Sequence, residues 1–109
     1  MQISFIIPHK GRFEMLIQTL ESISEQTYNL GEIEIIVVSQ TETIKQQMLL
    51  NKPALSLNVF IRPEHQTISA LRNYGVAQAT GQYLAFLDAD IWLSSNWAQK
   101  MIEELATTS

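Results

Sequence analysis

Two aspartates separated by a single residue, Asp88 and Asp90, form the pair of side chains with the clearest potential for metal chemistry. They follow the apolar run Tyr83-Leu84-Ala85-Phe86-Leu87, which is typical of a buried strand. Two carboxylates this close can converge on one hard cation through oxygen ligands. If the backbone stays extended, residues i and i+2 point to the same side. An ordinary turn is the alternative, but the position after a buried strand favours a metal site.

A second candidate site is the polar segment Pro8-His9-Lys10-Gly11-Arg12, which follows the apolar run Ile3–Ile7. We expect Pro8 to end the strand and Gly11 to allow a tight turn or the close approach of a ligand. Lys10 and Arg12 could meet a phosphate at the start of the next helix, where the helix N-terminus also favours anions. A solvated loop with unrelated charges is the alternative interpretation.

The elements that must position these residues alternate between strands and helices. Short apolar runs that are continuous rather than alternating predict strands buried on both faces. Each run is followed by a segment in which apolar residues recur at helical spacing. The predicted order β-α-β-α-β-α-β-α implies an α/β domain with a mostly parallel sheet, whose ligands bind at the carboxyl ends of the strands. The strands are predicted at Ile3–Ile7, Ile33–Ser39, Leu57–Ile61 and Tyr83–Asp88, and the helices at Phe13–Ile23, Glu42–Leu50 (the weakest), Ile68–Ala79 and Trp97–Leu105.

Composition excludes several classes of function. The chain of 109 residues is 46% hydrophobic and 17% charged, with a net charge of −4, which indicates a folded domain. Its scattered basic residues argue against a nucleic-acid partner. The absence of cysteine excludes disulfides, thiolate zinc sites and cysteine nucleophiles. No apolar run approaches the ~20 residues that span a bilayer, and no signal peptide is evident. We therefore expect a cytoplasmic protein, a prediction compatible with work at the inner face of the membrane.

Other phosphate-binding motifs are missing. The sequence contains neither G-x-x-x-x-G-K-[ST] nor G-x-G-x-x-G, so a P-loop and a classical dinucleotide site have no support. A haloacid-dehalogenase phosphatase would carry its aspartate pair after the first strand, whereas Asp88 and Asp90 follow the fourth. A nucleotidyltransferase would open with a glycine-rich loop, and the segment 8–12 contains one glycine.

Three motifs in order resemble those of the family 2 glycosyltransferases. The run Ile3–Pro8 followed by a polar loop ending in Arg12 is similar to S-V-I-I-P-T-Y-N-R. The segment Leu20–Thr27 is similar to L-x-S-L-x-x-Q-T. The segment Ala70–Asp90 resembles A-x-R-N-x-G-I-x-x-A-x-G-E-Y-I-x-F-L-D-x-D-D. Together the motifs extend over nearly the whole chain.

This resemblance implies a GT-A fold that binds a nucleoside-diphosphate sugar with Mn²⁺ or Mg²⁺. Asp90 would ligate the metal that bridges the diphosphate, and Asp88 would contact the ribose or help to hold the metal. The arginine of the R-N-x-G segment, Arg72, would reach the nucleotide, as would the first loop with Pro8, Lys10 and Arg12. Such a hexosyltransferase would transfer the sugar to a sugar or lipid-linked acceptor, usually with inversion, and the cation would stabilise the departing diphosphate.

The sequence departs from the family pattern at two places. The family usually has Asp-Asp or Asp-Asn after the second strand, where this chain has Ser39 and Gln40. An amide can still accept from a uracil N–H and donate to a carbonyl, so a UDP-sugar is favoured. A neutral residue followed by glutamine is also similar to the β-1,4-galactosyltransferases. The second departure is Ile91, where many members carry a further aspartate.

The length of the chain leads to a prediction about incompleteness. GT-A enzymes usually carry a further acceptor half that supplies the general base. We therefore expect residues 1–109 to be a single donor-binding domain, truncated before that half, with no assignable catalytic base. Glu103, Glu104, His9 and His65 are better explained as surface or loop residues. The alternative is a non-catalytic nucleotide-sugar-binding module. An exposed sheet edge would also favour a homodimer.

Overall fold

The computed structural model describes residues 1–11, 13–40, 55–63 and 65–108, apart from the side chains of Phe13 and Thr108. The predicted helix Glu42–Leu50 lies outside these residues. Four strands and three α-helices are present in the described ranges. They are β1 (Ile3–His9), α1 (Phe13–Ser24), β2 (Ile33–Ser39), β3 (Ser56–Ile61), α2 (Ile68–Gln78), β4 (Tyr83–Phe86) and α3 (Trp97–Thr108), with a short 3₁₀ turn at Leu30–Glu32.

The strands form one parallel sheet in the order β3-β2-β1-β4. The predicted α/β architecture is therefore confirmed. From β1 the chain builds the sheet outwards in one direction through β2 and β3, and then returns to place β4 on the other side of β1. The carboxyl ends of β1 and β4 thus meet where the strand order reverses, which is the usual place for a ligand in an open α/β sheet.

Helices α1 and α3 cover one face of the sheet. The apolar side chains of the strands and of α1 form a continuous core there, and Trp97 at the start of α3 packs against Phe5 with ring centroids 5.7 Å apart. Burial of such side chains contributes roughly 1.5–3 kcal/mol each. The buried members include Phe5, Ile7, Leu16, Leu20, Ile23, Ile35 and Val37.

Helix α2 covers the opposite face over β1 and β2, and glycine allows it to approach closely. A Cβ atom at Gly75 would lie 2.6 Å from Cγ2 of Ile6, a distance that would force the helix away from the sheet. Leu71 is fully buried on the same face. Thr67 caps the helix by accepting a hydrogen bond from the N–H of Ala70 at 3.1 Å, as threonine commonly does at this position.

Strand β1 continues through Pro8 to His9, so the prediction that Pro8 ends the strand is wrong. The carbonyl of Ile6 accepts from the N–H of Leu87, and the carbonyl of His9 accepts from the N–H of Gln40. The backbone N–H and C=O groups of even-numbered β1 residues therefore point towards β4, and those of odd-numbered residues point towards β2. Pairing with β4 stops at Ile6, so the N–H that Pro8 lacks would have had no partner strand.

A buried carboxylate ties the amino ends of the strands to the turn before β4. Glu34 accepts from the hydroxyl of Ser4 at 2.6 Å, and from the backbone N–H and hydroxyl of Thr80 at 2.6 and 2.9 Å. The hydroxyl of Ser4 in turn accepts from the N–H of Gly81 at 2.7 Å. Burial raises the pKa of Glu34, but these hydrogen bonds outweigh it and hold the pKa below its ordinary value.

Candidate nucleotide-sugar site

An open cleft of about 430 Å³ lies at the carboxyl ends of β1 and β4. Its size is in the range of small-molecule sites. It brings together the two segments that the sequence singled out, although they lie about 80 positions apart. The residues that line it are Pro8, His9, Lys10, Gly11, Met15, Ile68, Asp88, Ala89 and Asp90.

Asp88 and Asp90 lie beyond the end of β4, in a turn. The strand ends at Phe86, two residues earlier than predicted, and the N–H of Ile91 donates to the carbonyl of Asp88 at 3.3 Å. The expectation of an extended backbone through the pair is therefore wrong, because this turn replaces the sheet hydrogen bonds. Both carboxylates are exposed and line the cleft. The turn and the candidate metal site are thus the same feature.

The loop after β1 lines the same cleft. Gly11 has a φ of +98°, a left-handed conformation that glycine adopts without strain, as its place in the loop predicted. Lys10 is exposed beside it and lines the cleft, so its ammonium group can reach an anion there. Arg12, the third candidate of this loop, lies outside the described residues.

Arg72 reaches the aspartate pair from α2. Its Nη2 atom lies 3.2 Å from Oδ1 of Asp88, with the two side chains 40% and 65% exposed. An ion pair this exposed stabilises the fold by at most about 1 kcal/mol, so Arg72 can change partner at low cost. A hollow next to the cleft is lined by Arg72 with Ser69, Asn73 and Phe86.

Gln40 lies at the end of β2 and holds the loop between β3 and α2. Its Nε2 atom donates to the carbonyls of Pro63 and Gln66 at 3.0 and 2.6 Å. Because both partners can only accept, the orientation of the amide is determined and Oε1 points away from them. Gln40 is not among the described residues that line the cleft. The interpretation of Gln40 as a donor to a base carbonyl thus competes with two protein hydrogen bonds.

His9 is a residue whose place the sequence did not reveal. It was expected in a loop, but it is the last residue of β1, is 1% exposed and lines the cleft. Its Nδ1 atom lies 2.9 Å from Oγ of Ser39, which links the ends of β1 and β2. Had the strand been extended past Pro8, the alternation of side chains along it would have placed His9 on the same face as Phe5 and Ile7, next to Ser39 of β2.

The cleft fits a metal that is held partly by its substrate. Within the described ranges, no cluster of three or more histidine, aspartate or glutamate side chains could hold an ion by itself. Mg²⁺ is commonly bound through one or two carboxylates of the protein together with phosphates of the substrate. Asp88 and Asp90 can provide the carboxylates.

Glu103 and Glu104 are exposed on α3 and line a different surface with Lys100 and Thr107.

The sequence matches the family model described as "Glycosyl transferase family 2" over residues 4–109. The chain belongs to this glycosyltransferase family. It is 30% identical over 109 residues to glycosyltransferase AglE of Haloferax volcanii, and the match covers 97% of the chain and 36% of AglE. The chain therefore spans about a third of the length of this relative.

Solved glycosyltransferase structures share the fold. Staphylococcus aureus TarS 1-349 in complex with UDP superposes with a TM-score of 0.82 and 23% identity, over 98% of this chain and 32% of that one. Mannosyltransferase PcManGT from Pyrobaculum calidifontis, in complex with GDP-Man and Mn²⁺, superposes with a TM-score of 0.81 and 21% identity, over 96% and 32% respectively. The expected GT-A fold is thus confirmed.

The described helices are too short or too polar to cross a membrane.

Proposed function

We propose that this chain carries the donor-binding site of a metal-dependent glycosyltransferase. It would bind a nucleoside-diphosphate sugar, with a UDP-sugar favoured, for transfer to an acceptor hydroxyl with inversion. The observation that carries the proposal is the single cleft in which Asp88, Asp90 and Lys10 meet. Sugar or lipid-linked acceptors remain a prediction from the family resemblance. A cytoplasmic location, compatible with work at the inner face of the membrane, remains a prediction from the composition.

The acidic and basic residues that line the cleft suit different parts of a metal–diphosphate complex. Asp90, with Asp88, would hold Mn²⁺ or Mg²⁺, which would neutralise charge on the departing diphosphate. Lys10, which lines the same cleft, would contact phosphate oxygens directly. Pro8 and Gly11 add no charged side chain, and the positive φ of Gly11 shapes the loop for a close approach of the ligand.

Arg72 would change partner when the donor binds. In the structure its guanidinium neutralises Asp88 across 3.2 Å. A cation on the aspartates would weaken that attraction, and a nucleotide phosphate would offer the guanidinium a bidentate partner. Arg72 would thus hold Asp88 in place before binding and contact the nucleotide afterwards.

The base would lie towards the end of β2. Donation of the Gln40 amide to Pro63 and Gln66 turns Oε1 away from that loop. That oxygen can accept from the N3–H of uracil. This contact would replace the aspartate that the family resemblance places at this position.

The test is nucleotide binding by Asp90→Asn. UDP should bind the wild-type chain more tightly with Mn²⁺ than without it, and the substitution should weaken binding in Mn²⁺ by about tenfold or more, as expected for a contact with a charged group. A thermal-shift screen of UDP-, GDP- and dTDP-sugars can find the donor, because ligand at 100 times its Kd adds about 2.7 kcal/mol of stability.

The matched control is Glu25→Gln, which removes one negative charge from an exposed position outside the cleft. It should bind UDP as the wild type does. Equal affinity of the wild type and Asp90→Asn in Mn²⁺ would contradict the assignment of the metal site.

A further inference from the structure

The pair Gln26-Thr27 follows α1. The side chain of Gln26 is buried and connects three parts of the molecule. The Nε2 atom of Gln26 donates to the carbonyl of Ser22 in α1 at 3.1 Å and to the carbonyl of Ser94 at 2.7 Å. Its Oε1 atom accepts from the N–H of Ala98, in the first turn of α3, at 2.9 Å. The N–H of Thr27 adds a bond to the carbonyl of Ser95 at 2.8 Å.

The chemistry of these partners determines how Gln26 is oriented. An N–H group can only donate and the two carbonyls can only accept, so the amide cannot be turned around. Both amide hydrogens are used, and the residue is only 5% exposed. Filling the same volume in the core would not require an amide, since an apolar side chain would do so without the cost of burying polar atoms.

These bonds anchor the segment that carries the aspartate pair. The last sheet hydrogen bond before the pair runs from the N–H of Leu87 to the carbonyl of Ile6. The next backbone groups after Leu87 that bond to another element are the carbonyls of Ser94 and Ser95, which accept from Gln26 and Thr27. Between these points the side chain of Asp88 pairs with Arg72 of α2, and Leu93 is buried in the core. Asp88 and Asp90 thus lie on a short span between β1 on one side and the end of α1 on the other.

We propose that Gln26 is a positioning residue for the metal-binding aspartates. It acts through Ser94 by setting where the segment after Asp90 ends, and it does not touch the donor. The proposal rests on the proposed function of the cleft. Small displacements of a binding group cost affinity and rate far out of proportion to their size, and rigid support of a site depends on such hydrogen bonds.

Two substitutions separate positioning from stability. Gln26→Met keeps the approximate length and removes every side-chain hydrogen bond. Gln26→Glu keeps an acceptor for the N–H of Ala98, with a charge that suits the N-terminus of α3, but it cannot donate to Ser94 while ionised. Gln18→Met and Gln18→Glu are the matched controls, because Gln18 is exposed on α1.

The measurement is the ratio of the UDP dissociation constants without and with Mn²⁺, well below the Tm of every variant. A residue that only stabilises the fold would lower Tm and leave this ratio unchanged in the folded protein. We expect both Gln26 variants to reduce the ratio by about tenfold, and the Gln18 variants to retain it. Gln26→Glu, which keeps an acceptor for the N–H of Ala98, is the second variant if Gln26→Met does not fold.

Two results would overturn the proposal, and only the first of them would also overturn the proposed function. A wild-type ratio near one would remove the metal site and this inference together. A high ratio that Gln26→Glu or Gln26→Met retains would remove only the positioning role and would leave the proposed function intact.

Discussion

At the scale of single residues, Gln40 has observed contacts with a loop and a proposed contact with the base, which can be measured separately. It donates to the carbonyls of Pro63 and Gln66, and we propose that its oxygen contacts the base. Gln40→Ala should weaken UDP binding by about 1 kcal/mol, the usual net value of one hydrogen bond. It should also reduce the preference for UDP over GDP in titrations of both nucleotides.

The preference between the bases is the informative quantity for Gln40. Loss of the loop contacts alone would lower Tm and weaken both nucleotides equally. An unchanged preference would therefore assign Gln40 to the loop, and the comparison with β-1,4-galactosyltransferases would lose its main support. Gln78→Ala, an exposed position at the end of α2, provides a control for general effects on the fold.

At the scale of elements, Glu34 joins β1, β2 and the turn before β4. Because its pKa is lower in the folded state, its contribution to stability is complete above the unfolded-state pKa and is lost as the pH falls through the folded-state pKa. Glu34→Gln should flatten this acid part of the stability curve. Glu34→Ala should cost about 1–3 kcal/mol at neutral pH, because it leaves buried donors without a partner.

Urea unfolding from neutral to acidic pH measures both effects. Glu21→Gln is the control, since Glu21 is exposed on α1. If Glu34→Gln followed the same pH dependence as the wild type, the buried carboxylate would not be the source of the acid sensitivity.

At the scale of the whole molecule, the outer side of β4 is the surface available for association. β4 is an edge strand of the described sheet, and Leu84 and Phe86 are 40% and 50% exposed on it. Exposed edges and apolar side chains favour pairing with another copy. We therefore predict that the chain forms a two-fold dimer through β4, which sedimentation velocity at micromolar concentrations can detect.

Leu84→Lys should shift this equilibrium towards monomer, because a lysine on an edge strand opposes pairing. Val76→Lys is the control, since Val76 is similarly exposed, at 38%, on α2. A monomeric wild type, or a dimer that Leu84→Lys leaves intact, would contradict the predicted interface.

The sequence by itself predicted the strands and helices of the described residues and indicated Asp88 and Asp90 as candidate metal ligands, because both predictions depend on local patterns. Apolar runs predicted each strand to within two residues at either end, and three motifs indicated the family. Even the local errors had a tertiary cause. Pro8 continues β1 because β4 has already ended beside it, and the aspartates turn because the sheet hydrogen bonds stop at Leu87.

Only the tertiary structure decided which distant residues work together. The order β3-β2-β1-β4 brings Lys10 to the aspartates, and Gly75 lets α2 approach closely enough for Arg72 to reach Asp88. The bond between Gln26 and Ser94 joins positions 68 residues apart. Such contacts depend on strand order and helix packing, which local spacing does not encode. The motif around Gln26 could therefore be matched from the sequence, whereas the positioning role that we propose for it needed the contact with Ser94.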